Sequence, residues 1–273
     1  MISDSLLWHL VLAFAVGSAW VTFVTVAAER FGSAVGGIIG GLPSTSAFSF
    51  FFIGVNQSAG SAAQATTVFP LVFSVTCAFL LFYAFFVERG FRVGLAVSLL
   101  LWFAISGLIF VSGFRDFTLS LVGCVLVSSL VYYVLSQKFK LENLSGKHSR
   151  LTASQLVWRA VFAGSIVVLA VSLSQIGGPI LGGIFSAFPA VFTSTLYLMN
   201  KSNGLGFSRA MTRPLMVSAI LTVIPFSVTV RYTYPILGIL LGTVCAYAAA
   251  APFAVASYLI IDRSRTVREP LAD

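Results

Sequence analysis

Apolar residues in this chain fall in long continuous runs separated by short polar clusters, and they do not stripe one face at a helical period. A helix needs about 20 apolar residues to cross a bilayer. Runs of that length cover residues 6–28, 32–55, 66–87, 91–112, 116–137, 155–175, 178–200, 211–230 and 233–261. The pattern predicts an all-α polytopic membrane protein with nine transmembrane helices. No lysine or arginine precedes the first run in MISDSLLWHL, so it lacks the basic flank of a cleaved signal peptide and is expected to be retained.

Two of these runs share a pattern. Residues 32–43, GSAVGGIIGGLP, return 146 positions later as GPILGGIFSAFP at 178–189. Gly32, Gly36, Gly37, Ile38 and Pro43 correspond to Gly178, Gly182, Gly183, Ile184 and Pro189. Pro70-Leu71 returns as Pro214-Leu215 and Gly94 as Gly238, both at an offset of 144, and Gly17-Ser18 has a looser counterpart in Gly164-Ser165. Spans one to four therefore correspond to spans six to nine. Partners lie five spans apart, an odd number, so each crosses the membrane in the opposite sense to its counterpart. The expected plan is 4+1+4 with inverted-topology repeats: repeat 1 over 1–112, a connector of span five and a polar linker over 113–154, and repeat 2 with a tail over 155–273.

The repeated segment also carries the candidate chemistry. Gly36, Gly37, Gly40 and Gly41 precede Pro43 and the hydroxyl run Ser44, Thr45, Ser46; the second copy has Gly182, Gly183, Ser186, Pro189, Thr193, Ser194 and Thr195. Glycine costs about 1 kcal/mol and proline about 3 kcal/mol in a helix relative to alanine. Spans two and seven are therefore expected to be interrupted near mid-membrane. Proline suits the first turn of a helix, so each copy should restart as a half-helix with free N–H groups. Running in opposite directions, the two starts would face each other, each with roughly half a positive charge, and attract an anionic or polar group. Carbonyls freed before each proline, with the nearby hydroxyls, could hold a sodium ion, which makes sodium coupling an option. Close helix packing is the competing explanation for small residues at spacing four, as in Gly32/Gly36/Gly40 and Gly178/Gly182, and the two are compatible.

Composition narrows the picture further. The 273 residues are 58% hydrophobic and 9% charged, with a net charge of +8, and the mean hydropathy of +1.00 excludes a soluble globular domain. With nine spans, nearly all cations fall on one side, leaving Arg115 and Arg231 opposite and Arg159 near the basic end of span six. The positive-inside rule then places the N-terminus outside and the C-terminus in the cytoplasm, in a cytoplasmic (inner) membrane. The charge is thus a topology signal and a contact for anionic lipids rather than for nucleic acid. All eight acids lie at span ends, loops or tails, which argues against a buried carboxylate relay. The chain resembles the small four-helix multidrug exporters only in repeat size and inverted topology, and has no counterpart of their intramembrane glutamate. Cys77, Cys124 and Cys245 lie inside spans without ligand spacing, and no HExxH, prenyl-diphosphate or Ser/His motif indicates an enzyme. Glu88-Arg89 reads as a surface pair or a cytoplasmic gate, and Phe188, beside Pro189, could gate a pathway.

These features point to a secondary transporter that moves a small polar or anionic solute by alternating access around a midplane site. Ser44, Thr45, Ser46, Ser186, Thr193, Ser194 and Thr195 are the expected substrate contacts. Gly36, Gly37, Gly40, Gly41, Pro43, Gly182, Gly183 and Pro189 would shape the backbone. The second reading is a channel or lipid-headgroup flippase with a passive anion or phosphate path. Expected partners are the solute or ion and membrane lipids, with the protein a monomer or homodimer.

Overall fold

The computed structural model describes residues 4–30, 42–138 and 152–266. Every regular element among them is helical: α1 (Asp4–Arg30), α2 (Thr45–Asn56), α3 (Ala59–Ala65), α4 (Phe69–Phe86), α5 (Phe91–Val111), α6 (Phe117–Lys138), α7 (Ala153–Gly177), α8 (Pro179–Ser186), α9 (Ala190–Ala210) and α10 (Thr212–Thr266). Seven helical stretches are long and apolar enough to cross a membrane. One of them is α8 with α9, and another is the 55-residue α10, which Gly238 divides at φ 77°. With α10 counted twice and the shorter apolar helix α2 added, nine helices fit. Gly36, Gly37, Gly40, Gly41 and the 139–151 linker lie outside the described residues.

The span limits follow the apolar runs closely, with two corrections: the seventh, expected to end at residue 200, continues past a kink at Gly204 to Ala210. The eighth span was expected to end near residue 230, where Arg231 interrupts the run, yet the helix continues to Gly238. Arg231 is carried inside it because its guanidinium finds partners, donating to the carbonyl of Ala63 at 3.2 Å and to Thr67 Oγ1 at 3.1 Å and lying 4.3 Å over the ring of Phe117. A cation at the carboxyl end of α3 also opposes the negative end of that helix.

Burial sorts the helices into an inner and an outer group. Over an apolar 18-residue stretch of each, 72% of residues are buried in α4 and 67% in α8 with α9, against 22% in α5 and 17% in α10. Phe50, Phe69, Phe79, Leu80 and Tyr83 are fully enclosed around α4. Leu100, Leu108, Leu126, Leu130, Leu240 and Val244 point outward from α5, α6 and α10, as suits helices whose solvent is hydrocarbon.

Close approach depends on small residues. α1 packs most extensively on α7. A Cβ at Gly164 would meet the hydroxyl of Ser18 and lie 2.8 Å from the Phe14 carbonyl oxygen. Ser18 Oγ donates across the same contact to the Ala160 carbonyl at 2.9 Å. Gly183 touches the Ala65 carbonyl so closely that no side chain fits, which locks α8 against the end of α3. Replacing Gly164 with leucine should therefore lower the unfolding midpoint in detergent, by the 1–3 kcal/mol or more typical of overpacking. Gly107→Ala, where a Cβ meets nothing within 4 Å, should leave the midpoint unchanged or slightly raised.

Candidate functional site

Both proline-containing breaks line one cavity. Its walls include Leu42, Pro43, Ser44, Thr45 and Ser46 from the break before α2, and Phe188, Pro189, Val191 and Phe192 from the break between α8 and α9. Phe73 and Thr76 of α4 and Leu215, Ser218, Ala219 and Val223 of α10 complete it. The volume is about 90 Å³. Thr76 is the eighth of the 18 residues of α4, so the cavity lies near the middle of that helix. Eighteen residues span about 27 Å, close to the thickness of the hydrocarbon core.

The first amides of a helix have no intrahelical acceptor. Here the starts of α2 and α9, at Thr45 and Ala190, both belong to or adjoin the cavity wall, although the Ala190 N–H itself donates to the Phe188 carbonyl at 2.7 Å. The carbonyls on the other side of each break are held by side chains. Tyr247 of α10 donates to the Pro43 carbonyl at 2.9 Å. Thr76 of α4 donates to the Ala187 carbonyl at 2.6 Å and accepts from the Trp102 indole at 2.9 Å. Ser46 donates to the Ser186 carbonyl at 2.9 Å, which joins the two breaks directly. Of the carbonyls just before the second proline, those of Ser186 and Ala187 are thus engaged by hydroxyl donors.

Aromatic rings buttress each break. Phe188 lies edge-on to Trp102 at 5.2 Å and near Phe103 and Phe162 at 5.8 and 6.4 Å. At the other break, Tyr247 packs on Phe226 at 5.0 Å and on Trp20 at 5.9 Å, and Trp20 contacts Phe48 at 5.6 Å.

Of the expected substrate contacts, Ser44, Thr45 and Ser46 line the cavity; Ser186, Thr193, Ser194 and Thr195 are buried but are not among its lining residues. The Ser186 hydroxyl turns back to the Gly182 carbonyl at 2.8 Å and that of Ser194 to the Val191 carbonyl at 3.0 Å. The buried hydroxyl of Thr193 has no partner among the described residues. Pro43 and Pro189 both line the cavity, and Gly182 and Gly183 set the approach of α8 to α7 and α3.

Thr76, Trp102, Ser218 and Tyr247 had not been singled out. One signal was present: Trp102 and Tyr247 stand 145 positions apart, one residue from the offset that relates Pro70 to Pro214. No protein-family model, curated protein or solved structure matches this chain.

Further polar contacts join the halves at the two ends of α4. Beyond Phe86, Glu88 pairs with Arg209 at 2.6 Å and the Tyr83 and Ser208 hydroxyls meet at 2.8 Å. Beyond Phe69, Arg231 reaches Ala63 and Thr67, and Gln57 donates to Ser174 at 2.8 Å. Glu88 thus pairs with Arg209, in the other half of the chain.

Thr76→Val would orphan the buried Ala187 carbonyl and the Trp102 N–H together, at about 1–3 kcal/mol for each group. Its unfolding midpoint should fall further than that of Trp102→Phe, which leaves the Thr76 bond intact. Thr76→Ser should retain most of the stability.

Proposed function

We propose that the protein is a secondary transporter for a small polar or anionic solute, built from two inverted four-helix repeats around a connector helix. The observation that carries this reading is the single cavity shared by the breaks before α2 and α9 near the middle of α4. Interrupted helices whose starts meet at mid-depth supply N–H groups and positive dipole ends where hydrocarbon otherwise offers none.

The contacts between halves support the inverted pairing. The break in the first half is tied by Tyr247 of the second, and the break in the second half by Thr76 of the first. The latches are related in the same way. The end of span three binds the segment after span seven through Glu88 and Arg209, and the end of span eight binds the segment after span two through Arg231 and Ala63. Gly90 at φ 115° and Gly238 at φ 77° each open a helix, and each is followed four residues later by a glycine, Gly94 or Gly242, lying against the preceding helix. These contacts favour pairing Gly238 with Gly90, one turn before the Gly94 of the sequence repeat.

Under the positive-inside orientation, the Glu88–Arg209 latch faces the cytoplasm and the Arg231 latch the outside, with the protein in a cytoplasmic membrane, N-terminus out and C-terminus in. Latches at both ends favour alternating gates over a permanently open channel. The Glu88–Arg209 latch is weak enough to open: an exposed ion pair contributes up to about 1 kcal/mol, or about a fivefold change in population.

In proteoliposomes, preloaded unlabelled solute should accelerate uptake of the same labelled solute, a trans-stimulation that a channel does not show. Glu88→Gln, which removes the charge of the inner latch, should shift the balance toward the inward-open form and change the ratio of inward to outward affinity by up to about fivefold. Flux that neither saturates nor responds to preloading would support the channel reading.

A further inference from the structure

We propose that the cavity binds a short-chain monocarboxylate, with one negative charge at the helix starts and an apolar body of one to three carbons against the aromatic wall. This rests on the transporter reading above and specifies the solute.

The electrostatics limit the charge to one. The starts of α2 and α9 each contribute roughly half a positive charge, so together they match a single anion. No charged side chain is among the lining residues, and residues 31–41 contain no Lys, Arg, His, Asp or Glu in their sequence. A phosphate or dicarboxylate would bring a second charge into a low-dielectric site without a counter-charge, and that cost falls on binding. A cation would face two positive dipole ends.

The hydroxyls indicate an acceptor. Ser46 and Thr76 donate their protons to the Ser186 and Ala187 carbonyls. Thr45 is 6% exposed and lines the cavity, and among the described residues its hydroxyl has no protein partner. It is a donor on the cavity wall, on the first residue of α2, that a carboxylate oxygen would satisfy. Ser44 is the N-cap of the same helix and makes no side-chain capping bond, so a second hydroxyl is available beside it.

The remaining wall selects the body of the ligand. Phe73, Phe188, Phe192, Leu215 and Val223 present hydrocarbon and no donors. A small inorganic anion would leave this surface unused. The volume of about 90 Å³ is smaller than the roughly 150 Å³ apolar cavity that accepts benzene. Chains of two to four carbons in all fit that limit, and octanoate exceeds it.

The test is calorimetric titration of the purified full-length protein with propionate, propionamide, succinate, phosphate and octanoate, alongside trans-stimulated uptake of labelled propionate. Propionate should bind at least tenfold more tightly than each of the others. Thr45→Val should weaken it at least tenfold, and Thr45→Ser should restore it. Thermal unfolding of each variant separates lost binding from lost fold, and Ser44→Ala offers a second site variant should Thr45→Val be unstable. Succinate or phosphate binding that depends on Thr45 would overturn the monocarboxylate assignment and leave the transporter reading standing. Equal binding of propionamide would likewise overturn it, since charge would not be read. Propionate binding without trans-stimulated uptake would uphold the ligand class and defeat the transporter reading. Absence of any Thr45-dependent binding would overturn the monocarboxylate assignment and leave the transporter reading to stand or fall on trans-stimulated uptake.

Discussion

A backbone carbonyl without a partner inside hydrocarbon costs several kcal/mol, and this protein has non-helical backbone inside apolar runs at residues 42–44, before α2, and at 187–189, between α8 and α9. The structure meets the cost with side chains from the opposite half of the chain. Tyr247 holds the Pro43 carbonyl, Thr76 holds that of Ala187, and Ser46 holds that of Ser186. Neither break is complete without the other half, so the halves must fold against each other for either to persist. The same reciprocal dependence brings the starts of α2 and α9 to one cavity.

Other features follow from that dependence. Helices must come close for single hydroxyls to reach across, hence Gly164 against Ser18 and Gly183 against the Ala65 carbonyl. Rings fill the space that the breaks leave, Phe188 against Trp102 on one side and Tyr247 against Phe226 on the other. Because hydroxyls cover the carbonyls while the amides of new helix starts lie at the cavity, the site is biased toward accepting negative charge. A contact at each end, Glu88 with Arg209 and Arg231 with Ala63, also ties the two halves together.

Much of this was legible in the sequence for a physical reason: bilayer thickness fixes the length of an apolar run, so the spans lay close to where their helices are found. Pro43 and Pro189 were visible because proline cannot continue a helix without losing a hydrogen bond. Side-chain direction was not visible. Successive residues of a helix turn by about 100°, so Val191 and Phe192 face the cavity while Thr193, Ser194 and Thr195 turn into protein. A list of nearby hydroxyls could not separate them. Arg231 misled for a related reason, since a cation reads as a span end unless its partners are known, and those come from α3 and α6. Thr76 was hidden in the apolar run of α4, where one hydroxyl looks like ordinary helix packing.

The most direct measurement is a cross-link between the two breaks. With Cys77, Cys124 and Cys245 replaced by alanine, Ser44→Cys and Phe192→Cys would be treated with a flexible bifunctional thiol reagent of about 10 Å reach, in a protein carrying a protease site within residues 139–151. If the breaks face one cavity, the halves should stay joined after cleavage, whereas a Ser44→Cys, Leu240→Cys control, with its second thiol on an outward-facing position of α10, should separate. If the Ser44→Cys, Phe192→Cys halves come apart as the control does, the two interrupted helices do not meet and the shared site does not exist.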